Sequence, residues 1–284
     1  MIHTALTNNP STIPIHTSQF TLPAGVLDFA RELAHETGQF LKSTFGQIEA
    51  SKKKDGTLVT ESDFESDRRL SQAILSRYPD HTIISEEREK LYNGQEWCWV
   101  IDPIDGTTNF TWGFPVWGVL IGLLHYGMPV LGVADFPITD EHYSAALGQG
   151  AWRNGQPIHV STAAQLESTH LFAMCTRTLK HGRPDLVCKT RIAGSTGFDL
   201  ATLARGALVG AMELRVYLWD VAAVWPIVQE AGGTLITNRN PERDIFPLQV
   251  GTDYGNEEFS VLGASSTELL SEFRTRLSDR FAIQ

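Results

Sequence analysis

Residues 97–110 constrain this chain more than any other stretch. They begin as an apolar run, Trp97 to Ile101, with the length and the aromatic and β-branched character of a buried strand. The pattern then breaks, and Asp102, Pro103, Ile104, Asp105, Gly106 and Thr107 follow at once. If the strand's alternation runs on to Asp102, its carboxylate points the same way as Cys98 and Val100, onto an otherwise apolar face. A carboxylate there is costly unless a cation meets it. Pro103 fixes the backbone so that Asp102 and Asp105 can converge, and Gly106 lets the chain pass close to a ligand. Thr107 and Thr108 are placed to open a helix or turn whose free N–H groups face an anion. Two carboxylates, a main-chain carbonyl and a hydroxyl form an all-oxygen set suited to a hard cation such as Mg2+. Taken alone, an ordinary Asp-Gly turn after a buried strand accounts for the same residues. The remainder of the chain decides between the two.

A chain of 284 residues has room for one large domain or two modest ones with a real core. Its net charge of -10 offers no broad basic field, which argues against a general nucleic-acid or membrane-surface binder. The three cysteines, Cys98, Cys175 and Cys188, have no CxxC spacing and read as free thiols of a reducing compartment. No apolar run is long enough to span a bilayer, and the N-terminal residues carry no signal-peptide core. A soluble, cytoplasmic protein is the expectation.

Residues 1–22 form a loose arm rich in Thr, Ser, Asn and Pro. Apolar residues then recur at helical spacing over 24–45, with Gly38 as a weak point. A lysine-rich turn, 51–56, leads through a short extended piece to a helix over 61–78 whose first turn is crowded with acids. Residues 82–85 read as a strand with Glu86 and Glu87 directly behind it. Residues 116–124 and 129–136 make a hairpin about Tyr126 and Gly127, and 145–160 adds short strands. Beyond them the chain alternates: strand 170–175, a short helix 183–188, helix 198–205, strand 207–216, helix 220–231, strand 233–237, an irregular excursion 238–258, strand 259–263 and helix 265–277. The pattern predicts an α/β protein, with an α+β first half (23–150) and an α/β second half (151–284). The halves stack as a layered αβαβα sandwich, with an antiparallel sheet from the first and a mixed sheet from the second. Trp97, Trp99, Trp117 and Trp225 are assigned to the core. The nine histidines fall in no motif and are assigned to the surface or to hydrogen bonds.

The second chemical signal is residues 218–233. Asp220 stands at the start of a helix, where capping alone would explain it, yet the helix behind it is apolar on nearly every face. Ala222 and Ala223 permit close packing, and Pro226 falls in the early turns. With Glu86-Glu87, the 99–110 stretch, Trp219-Asp220-Val221-Ala222-Ala223 and Glu230-Ala231-Gly232-Gly233 in this order, the chain resembles the inositol monophosphatase family of metal-dependent, lithium-sensitive phosphatases. Residues 52–63 are similar to that family's upstream element, and the likeness spans roughly residues 25–277.

The resemblance implies that Glu86, Asp102 and the Ile104 carbonyl hold one metal, and Asp102, Asp105 and Asp220 a second, with two or three Mg2+ ions in all. Gly106 and Thr107 would meet the phosphate, with Asp105 and Asp220 beside it. Asp63, Thr107 and Glu86 would activate water. Gly194, Ser195, Thr196 and Glu213 would contact the substrate's alcohol. Five acids, Asp63, Glu86, Asp102, Asp105 and Asp220, repel one another unless cations lie between them. The expected activity is hydrolysis of a small phosphate monoester, inositol monophosphate first and histidinol phosphate as the alternative, by a homodimer without nucleic-acid or membrane partners. A catalytically silent binding homologue is the remaining reading, against which every ligand position is intact.

Overall fold

The computed structural model describes residues 21–47, 50–52, 58–180, 185–237 and 244–277. Its first half runs α1 (Val26–Lys42), β1 (Ser51–Lys52), β2 (Leu58–Val59), α2 (Glu61–Arg77), β3 (Thr82–Ser85), β4 (Leu91–Tyr92) and β5 (Trp97–Asp105). It continues with α3 (Thr107–Thr111), β6 (Gly118–His125), β7 (Met128–Phe136), β8 (Glu141–Ala146), β9 (Ala151–Arg153) and β10 (Gln156–Ile158). The second half gives β11 (Leu171–Met174), α4 (Thr176–Lys180), β12 (Lys189–Arg191), α5 (Thr196–Ala204), β13 (Gly210–Val216), α6 (Leu218–Ala222) and α7 (Val224–Glu230). It closes with β14 (Thr234–Thr237), β15 (Thr252–Asp253), β16 (Phe259–Ala264) and α8 (Thr267–Arg276).

Alternation along the strands sorts apolar side chains into layers. Val119, Ile121 and Leu123 of β6, with Trp99 and Ile101 of β5, pack under α1 and α2. Leu120 and Leu124, with Cys98 and Val100, face the other way onto α5, α6 and α7. Those helices share that core with Ala211 and Val261 of the second sheet, whose far side meets Leu269 and Phe273 of α8. The result is the predicted αβαβα sandwich. The first sheet has seven strands in the order β10-β9-β8-β7-β6-β5-β3, and the second five, β12-β11-β13-β16-β14. The β6–β7 hairpin turns on Tyr126 and Gly127, both at positive φ, which matches the twist of the flanking strands.

Several expectations need correction. The first sheet is not wholly antiparallel, because β3 pairs parallel with β5. The residues between them form a return loop long enough to bring the chain back to the same end. That loop carries β4, which pairs with β15 of the second half. The 183–188 helix is absent over 185–188, and 183–184 lie outside the described residues; Lys189–Arg191 instead form an edge strand parallel to β11. So short a segment carries too few apolar positions to distinguish the two periods. The single helix 220–231 is two, α6 and α7, broken at Ala223. Pro226 has no N–H to give the Ala222 carbonyl, so the ladder is interrupted there. The N-terminal arm to residue 20, most of the lysine-rich turn and residues 238–243 also fall outside the described residues.

Candidate active site

The parallel pairing of β3 with β5 is what begins the site. Ser85 lies beside Ile101, so Glu86, the first residue past the end of β3, comes next to Asp102 of β5. The Glu86 N–H donates to the Ile101 carbonyl at 3.4 Å. Along β5, Asp102 pairs with Leu120 and Asp105 with Gly118, so three steps on one strand match two on the other. In a regular strand residues three apart face opposite sides. The extra residue of this bulge, with Pro103 in it, returns Asp105 to the side that Asp102 faces. Gly106 then takes φ 87°, and a Cβ on it would sit 3.1 Å from the Val116 carbonyl and 3.3 Å from Ser195 Cβ. Only glycine fits that corner, and α3 begins directly after it.

The second half closes over this corner. Asn109 Nδ2 donates to the carbonyls of Val116 at 2.6 Å and Ala193 at 2.8 Å, which ties the segment before α5 to α3 and to the approach to β6. Asp105 Oδ2 accepts from the Ser195 hydroxyl and, at 2.9 Å, from the Gly197 N–H. Opposite, α6 presents Asp220, whose Oδ2 accepts the Tyr217 N–H at 2.8 Å. The α6–α7 junction lies directly on the first sheet because Gly122 and Gly132, paired across β6 and β7, leave a bare patch beneath it. A Cβ on Gly132 would come within 1.8 Å of the Ala223 carbonyl oxygen, and one on Gly122 within 2.9 Å of the Ala222 carbonyl carbon. Close backbone approach thus sets where Asp220 arrives.

Asp102, Asp105 and Asp220 each place a carboxylate oxygen so that the three lie within 4.8 Å of one another. Burial comes first in pushing the Asp102 carboxyl well above the usual range, and the charges of Glu86, Asp105, Asp220 and Asp63 push it further. Asp220 is raised in the same way, by burial and then Asp105, against the Tyr217 N–H. Asp105 is pushed up to about 6 by burial, with the Ser195 hydroxyl and the Gly197 N–H holding it down. Such a group of acids, two buried and one half-buried, calls for positive charge. The donors are all oxygen, so the site fits a hard divalent cation.

Thr107 Oγ stands 3.3 Å from Asp63 Oδ1 and 3.1 Å from the Ile104 carbonyl, both acceptors for its single proton. Asp63 is locked from behind, its Oδ2 accepting the Thr60 N–H at 2.7 Å and the Thr60 hydroxyl at 2.6 Å. Glu86, Asp102, Ile104, Asp105, Gly106, Thr107, Gly194, Ser195, Thr196, Glu213 and Asp220 all line one cleft of about 940 Å³. Asp63 stands behind Thr107 rather than on its wall. Ser195 has a task that sequence did not reveal: its hydroxyl donates to Asp105 and accepts the Phe198 N–H as the cap of α5. Asn109 and Asp199 likewise carry no signal in the sequence for their part in the site. Asp199 is pushed up to about 8, by burial first, and shares a hydrogen bond with Glu213, itself raised well above its usual range by burial and the Asp199 charge. No local pattern marks that pair, because α5 and β13 meet only in the fold.

A family profile described as the inositol monophosphatase family matches residues 23–273. The chain belongs to that family. An inositol-1-monophosphatase of Synechocystis is 38% identical over 241 residues, which cover 80% of this chain and 82% of that one. A histidinol-phosphatase of Chlorobaculum parvum is 37% identical over 216 residues, covering 73% and 83%. Among solved structures, an IMPase of Thermotoga maritima superposes with a TM-score of 0.75 at 27% identity, covering 89% of this chain and 97% of that one. This member of the inositol monophosphatase family is therefore a phosphatase of small phosphate substrates, in a metal-dependent family. No helix among its described residues is long and apolar enough to cross a membrane.

Proposed function

We propose that the cleft hydrolyses small phosphate monoesters with Mg2+, inositol monophosphate first among them. The observation that carries this reading is the convergence of Asp102 and Asp105, both buried, with half-buried Asp220, an all-oxygen set from segments more than a hundred residues apart in sequence. Glu86, Asp102 and the Ile104 carbonyl would hold one ion, and Asp102, Asp105 and Asp220 a second. When bound, such ions screen the phosphate charge and acidify water. The chain's own groups do the rest. Thr107 directs its proton to Asp63 and leaves a lone pair for the attacking water, while the Thr60 bonds keep Asp63 from turning away. Glu86, on the cleft wall, is the further acid assigned to that water. Gly106 and Thr107 supply N–H groups to the phosphate.

Glu213 supports the order of substrates. It is buried with its carboxyl raised, and its Oε1 has no hydrogen-bond partner among the described residues. A neutral acid in this position offers a hydrogen bond to a polyol hydroxyl. Gly194, Ser195 and Thr196 line the same cleft. Histidinol phosphate is the second reading, supported by the 37% identical histidinol-phosphatase and by a carboxyl pair that an ammonium group would ionise. A homodimer acting in the cytoplasm completes the proposal, and its net charge of -10 supports an absence of nucleic-acid contacts.

The test is kcat/KM on both esters with Mg2+, for the native protein and for Glu213→Gln. Gln still hydrogen-bonds a hydroxyl but supplies no anion, so the polyol ester should lose less than about tenfold, the effect of one ordinary hydrogen bond. A native preference for histidinol phosphate, with a much larger loss in Glu213→Gln, would reverse the order. Failure to hydrolyse any monoester would end the proposal.

A further inference from the structure

On the α1 face of the first sheet, three side chains from three elements meet outside the cleft. Asp135 of β7 and His142 of β8 are partners in register, and α1 lays His35 over them. The Nδ1 of His142 is 2.9 Å from Asp135 Oδ1, and the Nδ1 of His35 is 3.6 Å from the same oxygen. One donor atom from each residue lies within 4.8 Å of the others.

A hydrogen-bonded triad does not account for the arrangement. His35 stands beyond hydrogen-bond range. The Asp135 side chain is only 4% exposed, yet its Oδ2 accepts no hydrogen bond among the described residues. A buried carboxylate oxygen without a donor is costly. The helix has also made room for this carboxylate, because a Cβ at Gly38 would sit 2.2 Å from Oδ2. Glycine in the middle of a helix is otherwise unfavourable.

The geometry points to a second cation site here, for Zn2+ or a similar divalent transition metal, with His35, Asp135 and His142 as its ligands. Zinc bonds of about 2.0–2.1 Å in a tetrahedron set donor atoms about 3.3 Å apart, between the two separations observed. Two imidazoles select such a metal over Mg2+, so this site and the all-oxygen cluster differ in ligand preference. The His35 side chain is 58% exposed, which gives the ion a path in and a fourth position for water. A bound ion would fasten α1 to β7 and β8.

Calorimetric titration of Zn2+ into the metal-stripped full-length chain, in excess Mg2+, tests this. Asp220→Asn serves as background to weaken the acidic cluster, with and without His35→Ala. One Zn2+ per chain should bind in the background. Losing a mere supporting partner costs ~10–100-fold in metal affinity, so loss of the His35 ligand should cost at least that. His35→Ala alone should keep full Mg2+-dependent phosphatase activity, and its exposed position spares the fold. Should Asp220→Asn disturb folding, Co2+ absorption of the native chain against His35→Ala reads the nitrogen ligands directly. Equal Zn2+ affinity with and without His35, or a Co2+ spectrum unchanged by its loss, would overturn the assignment.

Discussion

Asp63 and Asp220 occupy the same place in their helices, the third residue, and each accepts the N–H of the residue before the helix with one oxygen. A carboxylate has two oxygens, so capping and catalysis do not compete: one oxygen fixes the rotamer and the other serves the cleft. Asp102 and Asp105 follow the same rule, anchored by the Ile104 N–H at 3.0 Å and by Ser195 with Gly197. Asp102 is assigned to both ions, so Asp102→Asn should abolish turnover and raise the Mg2+ requirement. Thr107→Ala removes one oriented hydroxyl and should cost about 10²–10³ in rate. Mg2+ titrations of both folded variants check this, and near-normal activity in Asp102→Asn would reduce the 102–107 segment to a turn. Ser195 gives a subtler case. Its hydroxyl lowers an Asp105 carboxyl that burial has pushed up to about 6. Ser195→Ala should therefore raise that pKa, and protons should compete with Mg2+ at higher pH than in the native protein. Mg2+ affinity measured across pH shows whether its acid limb moves upward.

Elements reach their places here by backbone contact as much as by side-chain packing. The α6–α7 junction rests on Gly122 and Gly132, where an added Cβ on Gly132 would overlap the Ala223 oxygen at 1.8 Å. Neither backbone can yield as a flexible side chain would. Gly132→Ala should thus cost about 1–3 kcal/mol, the usual range for overpacking. It should also weaken Mg2+ activation, because Asp220 rides on the displaced helix. Urea unfolding and Mg2+ titration on the same sample separate the two effects; lost stability with unchanged Mg2+ activation would show that α6 is positioned otherwise. The fold is legible in the sequence where one element carries its own signal: the apolar run of β5, the acidic start of α2, the Tyr126-Gly127 hairpin. What it hid depends on pairing. The parallel β3–β5 ladder, the bulge at Pro103 and the edge strand β12 arise only when distant segments meet. In sequence His35 and His142 are scattered histidines, because α1 and β8 become neighbours only on the folded sheet. Asp220 was legible by motif, but its route to Asp105, across two glycines and a broken helix, was not.

For the molecule as a whole, the cleft is a store of unfavourable charge, and that fixes how stability depends on pH. Asp102, Asp220 and Glu213 are raised, Asp105 is pushed up to about 6 and Asp199 to about 8, each by burial first. The folded, metal-free protein therefore binds protons more readily than the unfolded chain, and its stability falls as pH rises. The penalty is absent when these acids are protonated in both states and complete once pH exceeds their folded pKa values, so the fall should run from about pH 4 to beyond about pH 8. Mg2+ acts in the opposite direction. It binds the ionised acids of the folded state alone, and at a hundred times its dissociation constant would add about 2.7 kcal/mol. Because protons compete for the same oxygens, that gain should grow as pH rises through 6, the region where Asp105 ionises. Thermal unfolding should accordingly show a Tm that declines with pH without metal, and a Mg2+-induced rise in Tm that is small at about pH 5 and large at about pH 8. Asp102→Asn removes one titrating acid from the cluster, so its metal-free Tm should be higher than native near neutral pH while its response to Mg2+ shrinks. A Mg2+ effect independent of pH, equal in both proteins, would place the stabilising ion somewhere other than among these carboxylates.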